Sequence, residues 1–341
     1  MLDSQNLLFY YGSITILRNI QMGIEKVFLI INSYYIGDIL LVNPLVQNIK
    51  RIYKDSKIVM ITSPNLVDVA KYQEGVDDVI VWDRHGKDKG FFNMMKFIFK
   101  FPYKNIYASF PIYSGDRAIM LSALLRAKYI LGFKNNIMRL FMKSKFPIIN
   151  NYDRNIQLGN TYLLSGLTKE ELIDYPIKFN LPKIESDIVN QINKLNGDYI
   201  VFCPKSSNKS RDMENKQVLN IIEKYNGTIV LIGQGQNSQE LSTLLEKNNY
   251  SNLINLINKT TILESFYIIK NAKCCVTVNT GMLHASTAFD KKLVGIFYED
   301  KYSAYQPSKE IYPNSEFLYN ETDEKIIETI NSFTKEVELV P

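Results

Sequence analysis

The stretch CCVTVNTGMLHASTAFDKKLVGIF, residues 274–297, decides how this chain folds. CCVTV is apolar at nearly every position, the mark of a strand buried on both faces. A turn of small polar residues follows at 279–281, then a helical run, MLHASTAF, and a second apolar strand, KLVGIF. Strand, helix and strand in so short a span predict a parallel pair joined by a right-handed crossover. In such sheets ligands bind beyond the carboxyl ends of the strands. Asn279, Thr280 and Gly281 stand there, with His284 one turn into the helix. Gly281 is expected to turn the chain sharply and leave amides exposed at the positive helix end, which suits a diphosphate. Thr280 and His284 can then donate to phosphate or sugar oxygens. A purely structural histidine is the plainer reading of His284.

The alternation runs the length of the chain. KVFLIIN (26–32) reads as a strand and GDILLVNPLVQNIKRIY as one amphipathic helix after it. KIVMIT, DVIVWD, NIYASF and KYILGF continue the strands, with helical segments between them. After LPKIESDIVNQINKLNG the pattern restarts with DYIVFC, GTIVLIG, LINL, CCVTV and KLVGIF, and it ends in a helix, DEKIIETINSFTKEV. Two such series imply an α/β protein of two Rossmann-like, doubly wound parallel-sheet domains facing across a cleft. The expected division is 1–25 as an N-terminal extension, 26–180 and 190–320 as the two domains, and 321–341 as a terminal helix and tail. A length of 341 residues fits two cores better than one.

Composition bounds the rest. A hydrophobic share of 46% with 22% charged residues describes a globular protein. Three cysteines give no disulfide framework and no zinc spacing, so they are expected as small buried hydrophobes. The apolar opening NLLFYYGSITIL has no basic flank and no cleavage site, and at about 12 residues it is too short to span a bilayer. It fits an amphipathic helix lying on a membrane or on the protein. Residues 1–150 carry 20 Lys and Arg against 11 Asp and Glu, and the remainder carries 20 against 24. That asymmetry points the first domain at something anionic. RHGKDKGFFNMMKFIFKFPYKN (84–105) interleaves basic and aromatic residues. It reads either as a core helix with snorkelling lysines or as a surface for an anionic membrane.

Three further loops after strands carry chemistry. In NSYYIGDIL, Gly37 permits a tight turn and Asp38 stands at a helix N-terminus, either as an N-cap or as a carboxylate base facing the cleft. In CPKSSNKSRDMEN, two hydroxyls (Ser206, Ser207) and three cations (Lys205, Lys209, Arg211) can meet phosphate, or the loop is simply solvated. In LIGQGQNSQE, Gly233 and Gly235 begin a dinucleotide fingerprint that lacks its third glycine, so NAD chemistry is disfavoured. That loop, with Gln236, suits close approach of a ligand to the backbone.

Four stretches together resemble glycosyltransferase family 9, the heptosyltransferases of bacterial surface glycans. They are IGDILLVNPLVQNIK, GDRAIMLSALLRAKYILGF, PKSSNKSRDME and the long run from NKTTILESF to the aromatic-x-Pro of YQP, in the family's order from residue 26 to 307. The resemblance implies a GT-B architecture, with the acceptor on the first domain and a nucleotide sugar, usually ADP-heptose, on the second. It implies an inverting, metal-independent transfer with no cofactor beyond the donor. Asp38 would be the general base. Ser206, Ser207, Lys209, Gln236, Asn279, Thr280, Gly281 and His284 would hold the donor. The basic charge of the first domain puts Arg117, Lys134 and Arg139, with Arg126 and Lys128 nearby, at the expected acceptor wall beside Gly37. The implied partners are an anionic lipopolysaccharide-type glycolipid and, peripherally, the inner membrane from a cytoplasmic location, with no nucleic acid. Two positions depart from the family: Asn279 replaces its usual Asp, so the sugar need not be the usual heptose, and Arg211 stands where Trp is common. A catalytically silent relative that binds a nucleotide sugar or a partner protein is the alternative. A sugar-nucleotide epimerase of the same architecture would turn over without an acceptor.

Overall fold

The computed structural model describes residues 26–112, 116–132, 155–298 and 303–334. The proposed N-terminal helix, Lys134, Arg139 and the tail from 335 lie outside the described residues.

Two wholly parallel sheets form. The first has the order β3-β2-β1-β4-β5, from β1 (Lys26–Ile31), β2 (Ser56–Thr62), β3 (Asp78–Val81), β4 (Ile106–Pro111) and β5 (Tyr129–Ile130). The second has the order β11-β10-β9-β6-β7-β8. Its strands are β6 (Ile200–Cys203), β7 (Ile229–Leu231), β8 (Leu253–Asn255), β9 (Cys274–Val278), β10 (Lys292–Phe297) and β11 (Ser315–Tyr319). The apolar runs form these strands because both faces of each sheet are covered. In β1, Phe28 and Ile30 join one core and Leu29 and Ile31 another, with none of the four exposed. Cys203, Cys274 and Cys275 are buried free thiols in the second sheet, as their apolar setting suggests.

Two elements differ from the sequence reading, and a third decides between its two alternatives. The helix expected after β1 is two helices, α1 (Ile36–Leu40) and α2 (Asn43–Ile52). Pro44 sits at the start of α2, where its missing N–H costs nothing, but it cannot continue a helix already under way. SEFLY is the edge strand β11, pairing with β10 through Leu293–Ser315 to Phe297–Tyr319. The aromatic helix α4 (Phe91–Lys100), which follows the short α3 (Val67–Lys71), is not a core helix: Met94 is its single buried residue.

The segment between the sheets is strapped to the first by carboxamides. Asn48 donates to Ile173 O at 2.8 Å and accepts from Ile173 N at 3.0 Å. Asn43 accepts from Lys178 N at 2.8 Å and Gln47 donates to Pro176 O at 2.7 Å. The same segment reaches the second domain, where Tyr312 Oη accepts from Ile177 N at 2.9 Å and donates to Gln157 Oε1 at 3.0 Å. One large core cluster consequently contains residues of both sheets, from Phe28 to Phe317.

Candidate active site

The central strands β1 and β9 each lead into a short helix, and these two helices meet. Beyond β1, buried Asn32 donates to the Asp38 carbonyl at 2.9 Å and fixes the turn. Tyr35 is the N-cap of α1 and supplies no side-chain cap. Asp38 is therefore not the N-cap; it lies in the first turn, and its carboxylate accepts a hydrogen bond from the Tyr35 backbone. The side chain is buried at 4% exposure. Burial pushes its pKa up to about 6, while the Arg211 guanidinium and the Tyr35 N–H pull it back down. A carboxylate so placed is ionised at neutral pH yet close enough to its pKa to take a proton.

Beyond β9, Thr280 is the N-cap of the helix Gly281–Ala288, its Oγ1 accepting from Met282 N at 3.1 Å. This helix end is thus capped rather than bare. Gly281 does not make the turn by an unusual backbone angle. It is needed for proximity: a Cβ there would lie 2.8 Å from Ile36 Cβ. Gly37 behaves in the same way, since its Cβ would meet His284 Cδ2 at 2.7 Å. Both glycines let the two helices touch, rather than serve tight turns. His284 is 2% exposed, and its Nδ1 has no hydrogen-bond partner among the described residues. Burial lowers its pKa to about 3, so the imidazole is neutral and packed against Gly37.

The other residues expected to hold the donor lie on the second-domain loops around this region. Arg211 is near enough to Asp38 for its charge to favour the carboxylate, and it lies 5.4 Å from the Tyr305 ring centroid. Lys209 and Ser207 are exposed on the loop after β6, where Asn208 caps the short turn Lys209–Arg211. Ser206 is held by that loop, its N–H donating to Asp212 Oδ1 at 2.7 Å and its hydroxyl to Asn208 O at 2.6 Å. Lys205 is turned inward onto Met213 O at 2.6 Å, so it serves the loop. Gln236 is exposed as the first residue of the helix after β7, and Gly235 before it takes φ +95°, a conformation that favours glycine. Asn279 is buried and donates to Ser303 Oγ at 3.3 Å.

In the first domain, Arg117 lines a pocket at the carboxyl end of β3 with Trp82, Arg84, Asp88, Phe91 and Met120. The structure brings Gly37, Asp38, Gly281, His284 and Arg211 together and leaves Lys209, Ser207 and Gln236 out on the second-domain loops. Arg84, which stacks 4.4 Å from the Tyr34 ring centroid, belongs to the basic, aromatic stretch 84–105, and only the fold brings it to the same pocket as Arg117. Among the described residues no cluster of three or more His, Cys, Asp or Glu side chains is arranged to hold a metal ion.

Comparison with known proteins bears on this arrangement. A family model, glycosyltransferase family 9 (heptosyltransferase), matches residues 120–328. The chain belongs to that family. As a family 9 glycosyltransferase it has solved structural neighbours of the GT-B fold. One is a family 9 glycosyl transferase from Veillonella parvula, with TM-score 0.79 and 13% identity over 92% of this chain and 98% of the other. A second is ADP-heptose lps heptosyltransferase II of E. coli, with TM-score 0.72 and 13% identity over 91% and 98%. A third is E. coli heptosyltransferase WaaC with ADP, with TM-score 0.71 and 14% identity over 90% and 99%. Identities this low carry the fold alone. A search of curated protein sequences finds no match.

Proposed function

We propose that this glycosyltransferase moves a sugar, a heptose from ADP-heptose as the first candidate, onto an anionic lipopolysaccharide-type glycan, with inversion and without a metal ion. In this reading the first domain takes the acceptor and the second the donor. The acceptor oxygen attacks the anomeric carbon from the face opposite the diphosphate. Its proton passes to the Asp38 carboxylate, and the bond to the diphosphate breaks with the electron pair leaving on the phosphate oxygen. Lys209 and Arg211 offset the charge that builds there. Ser206, Ser207, Gln236, Asn279, Thr280, Gly281 and His284 form the donor wall, although Thr280 and His284 would have to rearrange to donate. Arg117, Lys134 and Arg139 attract the acceptor.

The observation that carries the reading is Asp38, a buried carboxylate with pKa near 6, near Arg211 and beside the helix contact between the domains. The test is acceptor-dependent release of ADP from a panel of nucleotide sugars, with the anomer of the product assigned by NMR. The right donor at 100 times its Kd should also add about 2.7 kcal/mol of stability. Turnover of a nucleotide sugar with no acceptor present would replace the proposal with an epimerase.

A further inference from the structure

Helix α4 is apolar on two sides, yet only one is covered. Met94 and the partly buried Phe97 and Ile98 face the first domain with Trp82 and Phe101. On the other side Phe92, Met95 and Phe99 follow the i, i+3, i+7 spacing of one helical stripe. Phe92 is 82% exposed, Phe99 88% and Phe91, at the helix start, 61%. A single exposed ring is ordinary, but three on one ten-residue helix form a patch that calls for a partner.

Charge identifies that partner. Lys96 and Lys100 lie one helical turn apart beside the stripe, both exposed. With Lys87 they line a groove between α4 and the edge of β3, floored by Ile80, Phe97 and Pro102. Lys89 and Lys104 are exposed at either end of the helix. Two acids lie nearby, Asp83 accepting from Gly86 N and Lys87 N, and Asp88, in the same groove, accepting from Asp83 N, so the lysines outnumber them. No salt bridge engages these five lysines among the described residues. A protein interface would not concentrate like charge around its apolar centre, because lysine is depleted at such sites. An anionic bilayer matches both halves, the rings entering the acyl boundary and the lysines meeting lipid phosphates. Among the described residues no helix is long and apolar enough to cross a membrane, so this helix would lie on the surface.

We propose that α4 is a membrane-docking face that binds anionic phospholipid. It rests on the reading above only for its purpose: Phe91 also borders the pocket holding Arg84 and Arg117, so a docked enzyme would present that pocket to a membrane-borne acceptor.

The test is co-sedimentation of the full chain with vesicles containing phosphatidylglycerol, against pure phosphatidylcholine, alongside turnover on a soluble, delipidated acceptor fragment. Phe92→Ser with Phe99→Ser should lower vesicle partition by about 100-fold, since each ring buried is worth roughly tenfold or more. Lys96→Glu with Lys100→Glu should lower it at least 25-fold, about fivefold for each lysine. Both changes are at exposed positions, and turnover on the soluble fragment should stay at the parent level. Equal binding to both vesicle types, or unchanged binding by the phenylalanine variant, overturns the proposal. So does a self-association in solution that the phenylalanine variant abolishes while the parent ignores vesicles, because a second copy would then own the face. Vesicle binding without turnover on any acceptor would sink the enzymatic reading and leave the docking face standing.

Discussion

Asp38 and His284 occupy matching places in the two domains. Each lies in the first turn or so of the helix that follows a central strand, each is almost wholly buried, and their helices touch. Burial pushes the carboxylate up to about 6 and the imidazole down to about 3. The difference is in what opposes burial. Asp38 has a guanidinium and a backbone N–H on its side, and so keeps its charge at neutral pH. His284 has nothing to stabilise a charge and remains neutral. One position keeps a charge close to its protonation point, and the other is neutral and packed against.

The largest effect should come from Asp38→Asn. Turnover should fall by about 10²- to 10⁴-fold, the scale of a lost general base, with donor affinity retained. The parent's kcat/KM should fall on the acid side with an apparent pKa near 6. Stability should move the other way. The raised pKa favours the fold below the ordinary value of 3.8, and that contribution is lost as pH rises through about 6. Above that pH the buried charge costs at most about 3 kcal/mol. Asp38→Asn should thus melt higher than the parent at about pH 8 and show no gain at about pH 4. Normal turnover in this variant would make the two positions equally structural.

Next in size is Lys209→Ala, which should weaken nucleotide-sugar binding by roughly 1.5 to 3 kcal/mol, measured by calorimetry. Unchanged affinity would leave Arg211 as the cation that matters. Gly37→Ala should cost about 1 to 3 kcal/mol in denaturant unfolding, because a methyl must displace the His284 ring. The smallest effect belongs to His284→Leu. The depressed pKa gives a contribution present above 6.5 and lost as pH falls toward 3, so removing the imidazole should move acid unfolding to lower pH. Donor affinity should change by less than about tenfold, short of losing one hydrogen bond to a charged group. A larger loss would mean that the ring leaves Gly37 to meet the donor, and the contrast between the two positions would fail.

Much of the scaffold was legible because apolar strand runs and helix-length spacers are local signals. KVFLII, CCVTV and KLVGIF form strands where the pattern puts them. SEFLY is not legible as a strand, because a short edge strand has no continuous apolar run. Pro44 was in plain view and should have split the helix after β1. Gly37 and Gly281 were singled out for the wrong reason: a turn is a local matter, but a contact between residues so far apart in the chain is not. The exposure of α4 was equally hidden, since FFNMMKFIFK has apolar residues enough for a core and only the packing shows which half is left uncovered. Arg211 was read as a cation near phosphate; that it also lies near Asp38 follows only from the fold.

The strap of Asn43, Gln47 and Asn48 has a practical consequence. Its bonds join neutral carboxamides to backbone groups, and the ion pairs beside it, Lys178 with Glu74 and Lys50 with Asp77, are partly exposed and weak. Added electrolyte therefore leaves the spacing of the domains alone while it screens α4 and the arginine-lined pocket. An ionic-strength series becomes a clean instrument for surface charge: an acceptor KM that climbs with salt would report attraction at the basic face, uncontaminated by any loosening of the strap.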